Sequence, residues 1–156
     1  MNAERPTVLE YPEYQEIRDD IWQNMPKWES FIIAIDGRDH SGKSSLGRYL
    51  SWQLGMSCLE LDTFRNLQLS PYDFRLDDLR RSIDSRLERN RPVIVEGVTV
   101  RVVLRELDHS PSYSVFIRYD NNELPEIDPV LKGYYSEYGP EKNANYVYDR
   151  GLENRA

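Results

Sequence analysis

Cysteine occurs once in the 156 residues, as Cys58, and a lone cysteine excludes an internal disulfide. It sits in the apolar stretch "MSCLEL", where a small buried side chain is the ordinary reading of a cysteine. Long apolar runs are missing as well. The longest, such as "FIIAI" and "VIV", fall well short of the ~18 residues a membrane helix needs, and "MNAERPTVLE" contains no apolar signal core. The expectation is a cytoplasmic protein with no membrane partner. Basic charge is also short: 20 Lys and Arg stand against 27 Asp and Glu, a net charge of −7. Nucleic acids and anionic lipids are bound by clustered cations that displace counterions, so neither is an expected partner. There is no internal repeat, low-complexity tract or linker. With 39% hydrophobic and 30% charged residues the composition is globular, and the length suits one domain over 1–156.

The apolar residues that are present fall into alternating patterns. Leu9, Tyr14, Ile17, Ile21 and Met25 recur at helical spacing up to Pro26, which predicts an N-terminal helical extension over 1–28. "SFIIAID" (30–36) reads as a strand buried on both faces. A helix follows from Lys43 to about Leu54, with Gly55 as its stop, and then a second strand, "MSCLELD" (56–62). Residues 75–89 set Leu76, Leu79, Ile83 and Leu87 at helical spacing, and "PVIVEGV" (92–98) is the clearest buried strand. "VRVVLREL" (100–107) fits strand or helix. Its place between two interior strands favours helix. "SYSVFIRYD" (112–120) is a fourth strand, a helix runs from near Pro129 to Gly139, and "ANYVYD" (144–149) is a short fifth strand. Strands alternating with helices predict an α/β fold, a doubly wound, mostly parallel five-stranded sheet with helices on both faces.

Between the first strand and its helix stands "GRDHSGKS", which fits G-x-x-x-x-G-K-[ST] through Gly37, Gly42, Lys43 and Ser44. At average residue frequencies that pattern arises by chance in roughly one chain of this size in a few hundred. The preceding strand and following helix are the context its chemistry requires, that of a P-loop NTPase fold. Glycines let the backbone close around phosphate oxygens, and the amides of Arg38, Asp39, His40, Ser41, Gly42, Lys43, Ser44 and Ser45 would face the anion at the positive end of a helix dipole. Lys43 would reach the outer phosphates and the Ser44 hydroxyl would ligate Mg²⁺. His40 and Asp39 either touch phosphate or loop amides, or point to water. His109, beside Ser110 and Pro111, reads as a turn residue.

Two carboxylates are expected at the carboxyl ends of strands, where doubly wound sheets bind ligands: Asp62 after the second and Glu96 after the third. One near the terminal phosphate would orient or deprotonate an attacking hydroxyl, and the other would hold the metal. The alternatives are a turn cap for Asp62 and a structural carboxylate for Glu96.

In this order, "GRDHSGKSSLGRYL", "LELDTFRN" and "VIVEGV" resemble the uridine kinase and nicotinamide riboside kinase group of P-loop nucleoside kinases over roughly residues 30–120. The loop is also similar to that of thymidylate kinase, with Asp36 for a Glu and His40 for a Gly, but that family implies Asp-Arg after the third strand where this chain has Glu96-Gly97. The nucleoside kinase resemblance implies an ATP- and Mg²⁺-dependent phosphotransferase acting on a small-molecule hydroxyl, as a monomer or homodimer. Lys43 and Asp62 would be catalytic, Ser44 and Glu96 would sit at the metal, and Phe64, Arg65 and Arg101 would border the acceptor. One departure stands out. The family's Arg-rich lid corresponds to "DNNELPEIDPVLKGYY", whose only cation is Lys132. Arg38, Arg65, Arg101, Arg105 and Arg118 are the substitutes to consider, with a cation from a partner subunit as another source. The acidic character of 119–142 also admits a different reading, a nucleotide-binding switch or degenerate kinase that acts through a protein partner. No Asn-Lys-x-Asp segment for reading guanine is present. The tyrosines Tyr134, Tyr135, Tyr138, Tyr146 and Tyr148 read as half-buried packing.

Overall fold

The structure is a computed structural model that describes residues 11–25, 29–66, 69–120 and 123–151. Five strands, β1 (Ile32–Gly37), β2 (Ser57–Glu60), β3 (Val93–Glu96), β4 (Tyr113–Arg118) and β5 (Tyr146–Asp149), form one sheet in the order β2-β3-β1-β4-β5. Every pairing is parallel. The helices are α1 (Pro12–Asn24), α2 (Lys43–Leu54), α3 (Leu76–Leu87), α4 (Val100–Glu106) and α5 (Pro129–Tyr138). The undecided segment 100–107 is therefore helix, as its place between interior strands requires.

Alternation along the strands divides the core into two layers. Ile33 and Ile35 of β1, with Ile94 of β3 and Val115 and Ile117 of β4, meet α1 and α2 through Tyr14, Ile17, Ile21, Leu46 and Leu50. Ile32 and Ala34, with Val93 and Val95, meet α3 and α4 through Leu79, Ile83, Val100 and Leu104 on the other face. α5 packs beside α4. The register of β3 against β1 pairs Glu96 with Ile35, which puts this carboxylate level with the start of the glycine loop. Because all five strands run the same way, their carboxyl ends share one edge, with β1 at the point where the chain turns from one half of the sheet to the other. That edge is where such sheets bind ligands.

α1 is held to the sheet by polar contacts as well as by its apolar stripe. Tyr113 donates to Asp20, Tyr146 donates to Glu16 at 2.9 Å, and Tyr14 donates to Ser45 Oγ at 3.2 Å. Of the expected apolar positions Leu9 lies outside the described residues, as does Pro26, the expected end of the helix. Cys58 packs against the first core layer, and burial pushes its thiol up to about 12, so it is an inert thiol there. His109 closes the end of α4 through its N–H to the Leu104 carbonyl, 2.8 Å, and its ring pairs with Asp84. Among the described residues no helix is long and apolar enough to cross a membrane.

Candidate nucleotide site

The loop between β1 and α2 curls over the carboxyl end of β1. Two glycines make the curve. Gly37 has φ +152° and lies so close to β4 that a Cβ would stand 2.8 Å from the Ile117 carbonyl oxygen and 2.8 Å from Ser41 Oγ. Gly42 takes φ +96° at the N-cap of α2, which leaves the first amides of that helix without side-chain caps and open to an anion. His40 is also left-handed at φ 62°, an exposed residue in a conformation that glycine would adopt at less cost.

Lys43, the first residue of α2, is only 8% exposed. Its ammonium donates to the Arg38 carbonyl across the loop at 2.8 Å. Burial lowers its pKa, and Glu96 is the largest influence opposing the shift, followed by Asp39, Asp36 and Asp62. Ser44 donates from Oγ to Glu96 Oε1 at 2.8 Å. Glu96 is 3% exposed, and burial raises its pKa while the Ser44 hydroxyl and the Lys43 charge pull it back. Two hard oxygen donors thus stand together on the loop, one hydroxyl and one carboxylate, which suits Mg²⁺ better than a thiolate- or imidazole-binding ion. Among the described residues no three His, Cys, Asp or Glu side chains gather as a metal site, so a cation here would take its remaining ligands from phosphate oxygens and water.

These residues open on a cavity of ≈ 360 Å³ lined by Asp39, His40, Gly42, Lys43, Ser44, Ser45, Asp62, Glu96, Gly97 and Val98. The carboxylates singled out in the sequence, Asp62 and Glu96, both line it, Glu96 from the end of β3 and Asp62 from the segment after β2. Asp62, however, does not end a strand. β2 stops at Glu60, and Leu61–Phe64 is a 3₁₀ turn that drives Leu61 into the core and leaves the Asp62 carboxylate 77% exposed toward solvent. Arg65 approaches Asp62 at 3.9 Å. Gly37, Arg38, Ser41, Phe64, Arg65 and Arg101 are not among the lining residues. Ser41 is fully buried and Gly37 belongs to β1, so both shape the loop from behind.

The expected arginines are committed elsewhere. Arg38 donates to the Pro125 carbonyl and faces a second cavity between the end of β4 and α5. Arg101 donates to Ser114 Oγ and the Asn143 carbonyl, each at 2.8 Å. Arg105 shares the α5-facing side of α4 with it, 4.8 Å over the Tyr138 ring. Arg118 binds Glu141 and Asp149. Sequence reasoning missed Arg150. It follows β5 directly and donates from Nη1 to the His40 carbonyl at 3.2 Å, while its guanidinium lies 4.6 Å over the Tyr119 ring. The one available signal was its position just past a strand end, since every such end in a parallel sheet reaches the ligand-binding edge.

Below the loop, on the α5 side, Asp36 is 2% exposed, accepts from the Tyr134 hydroxyl and takes the Gly37 N–H at 2.8 Å. Burial raises its pKa from 3.8 to about 7, outweighing those hydrogen bonds and the charges of Lys43 and Arg101. A carboxyl that keeps its proton longer in the folded chain than in the unfolded one stabilises fully at low pH, and that contribution is lost as pH rises through about 7. The melting temperature should therefore drop by several degrees between about pH 5 and pH 8, and the drop should be smaller in Asp36→Asn, whose amide cannot ionise. Thermal melts of both proteins across that range check it. An equal drop in both would exclude Asp36 as the source.

Compared with solved structures, the chain is similar to one described as a "possible uridine kinase" from Bacillus stearothermophilus, with a TM-score of 0.63 at 16% identity over 87% of this chain and 97% of that one. It also matches a sugar kinase from Janibacter sp., with a TM-score of 0.46 at 19% identity over 76% and 84% of the two chains. A shikimate kinase from Bacteroides thetaiotaomicron matches with a TM-score of 0.42 at 15% identity over 76% and 85%. The first likeness carries the comparison, and it is a likeness of fold. No protein-family model and no curated protein sequence matches the chain. The five-stranded parallel sheet with its glycine loop is the P-loop NTPase fold.

Proposed function

We propose that the protein is a phosphotransferase that moves the terminal phosphate of ATP to a hydroxyl group of a small molecule, a nucleoside or a similar metabolite. The observation that carries this reading is the convergence of Lys43, Ser44, Glu96 and Asp62 on one cavity beside the glycine loop. A loop that only held an anion would need its amides and Lys43. The two carboxylates, opposite the helix N-terminus and at an entrance open to solvent, are what a transfer reaction adds.

In this reading the amides of residues 38–45 and the start of α2 hold the polyphosphate, and Lys43 exchanges the Arg38 carbonyl for a phosphate oxygen. Ser44 and Glu96 would hold Mg²⁺, which would supply charge neutralisation to the phosphates when bound. Asp62 stands at the open side, where an acceptor arrives, and it orients the acceptor hydroxyl and accepts its proton as the new P–O bond forms and the bond to the leaving ADP breaks. Arg65 next to Asp62 and Phe64 in the same turn would border the acceptor; Arg101, bound to Ser114 and Asn143, does not enter this reading. The resemblance to nucleoside kinases and the fold likeness to a structure described as a possible uridine kinase both support an alcohol acceptor.

Incubation with ATP, Mg²⁺ and a panel of nucleosides, sugars and other metabolite alcohols tests the proposal. Stoichiometric ADP and a phosphorylated acceptor are expected with at least one member. ATP binding with no transfer to any member would instead favour a nucleotide-dependent switch.

A further inference from the structure

The loop cavity is short of positive charge. Its lining carries one ammonium, Lys43, against the carboxylates of Asp39, Asp62 and Glu96, and the polyphosphate would add more negative charge. Transfer also spreads negative charge over the migrating phosphoryl oxygens, so a further cation is worth orders of magnitude in such reactions. Arg38, Arg101, Arg105 and Arg118 are bound to other groups, and Arg65 stands with Asp62 on the acceptor side.

Arg150 is placed differently. Its Nη1 lies 3.2 Å from the point where a Cβ on Gly42 would stand, at the N-cap of α2, and the Tyr14 hydroxyl is 4.0 Å from that same point. The turn that carries it is built. Asp149 accepts from Arg118 Nη1 at 2.9 Å and from the Gly151 N–H at 3.0 Å, and Asp149 is itself paired with Arg118 in the register of β5 on β4. The Tyr119 ring, just beyond β4, supports the guanidinium from one face. A delocalised guanidinium so held keeps its charge. On the same side of Gly42, Tyr14 donates to Ser45 Oγ, so α1 and the end of β5 meet the loop together.

We propose that Arg150 is a positioning residue for the polyphosphate: entering from the end of β5, it supplies beside Gly42 the positive charge that the arginine-free segment after β4 lacks. This rests on the reading of the loop as a polyphosphate site. By holding the His40 carbonyl it also keeps the loop amides turned inward, and its charge acts on the anion across the thickness of one backbone strand.

Calorimetric titration of the full chain with ATP and, separately, with inorganic tripolyphosphate separates the possibilities, using wild type, Arg150→Gln and Arg150→Lys, each checked by thermal melting. The expected result is a loss of about tenfold in affinity for both ligands in Arg150→Gln, the scale of one charge-assisted contact, with partial recovery in Arg150→Lys. Wild-type affinity should also fall more steeply with added salt than that of Arg150→Gln. Unchanged tripolyphosphate affinity in Arg150→Gln, with or without a loss for ATP, would overturn the inference, since Arg150 would then serve the nucleoside or nothing. Equal weakness in the Gln and Lys variants would overturn it too, because a retained charge must restore binding. If wild type bound neither ligand, the polyphosphate reading itself would fail, an outcome distinct from all of these.

Discussion

Lys43→Ala is expected to weaken ATP binding by at least about tenfold and to slow phosphoryl transfer by about 10²–10³-fold, the scale of losing one preorganised charge from a transition state. The reasons are local. The ammonium is buried at the head of α2 with its pKa lowered, and its hydrogen-bond partner among the described residues is the Arg38 carbonyl. Holding a desolvated cation there is costly, and an anion bound inside the loop would offset that cost; this is why the effect should appear in binding rather than in folding. Calorimetry for affinity, single-turnover transfer for rate and a melting curve for stability give three independent readouts. A variant with wild-type ATP affinity and rate would mean that the amides alone hold the ligand. A large fall in melting temperature would mean that the lysine is a structural element of the loop. Lys43→Arg should not rescue, because a planar guanidinium is bulkier than the ammonium and cannot take the buried place that Lys43 holds at the head of α2.

The loop was legible in the sequence because its information is local: two glycines, a lysine and a serine at fixed spacing, with a buried strand before and a helix after. The same holds for the alternation of strands and helices, including the helix at 100–107, whose assignment followed from its neighbours. Asp62 shows where local pattern misleads. Leu59, Glu60 and Leu61 continue the alternation of an edge strand, but Leu61 has a core position to fill, and the chain leaves the sheet into a 3₁₀ turn to fill it. The carboxylate still reaches the cavity, from a turn and not from a strand end. Arg101 and Arg105, four residues apart, share one face of α4, but which way that face turns depends on α5, whose Tyr134 hydroxyl accepts the Arg101 N–H at 3.2 Å and whose Tyr138 lies under Arg105. Arg150 carried no pattern at all. A single arginine after a four-residue strand becomes part of the loop only through the parallel register of β5 on β4, a long-range fact that no window of sequence contains.

Asp62→Asn is expected to lower the rate of transfer by about 10²–10⁴-fold while leaving ATP affinity within about twofold of wild type, the split that separates a group acting on the acceptor from one holding the donor. Asn keeps the size of the side chain and removes its charge and its capacity to take a proton. The exposed position separates the loss from a folding defect, since the carboxylate is 77% exposed and its ion pair with Arg65, at 3.9 Å, is a surface pairing of small energetic value. The turn does not depend on the carboxylate either: it is closed by the Thr63 hydroxyl donating to the Glu60 carbonyl at 2.7 Å and by the Arg65 N–H to the Asp62 carbonyl. Glu96→Gln supplies the contrast. Its carboxylate accepts from Ser44, and in the proposed reading it would hold Mg²⁺, so its loss should appear as a higher Mg²⁺ requirement that added metal partly relieves, whereas no concentration of Mg²⁺ should restore Asp62→Asn. If Asp62→Asn transferred phosphate at the wild-type rate, the acceptor hydroxyl would be oriented by another group, and the exposed carboxylate would be only a solvated surface charge. If instead its ATP affinity collapsed along with its rate, Asp62 would belong to the donor side with Glu96, and the acceptor would have to enter from elsewhere along the carboxyl edge of the sheet.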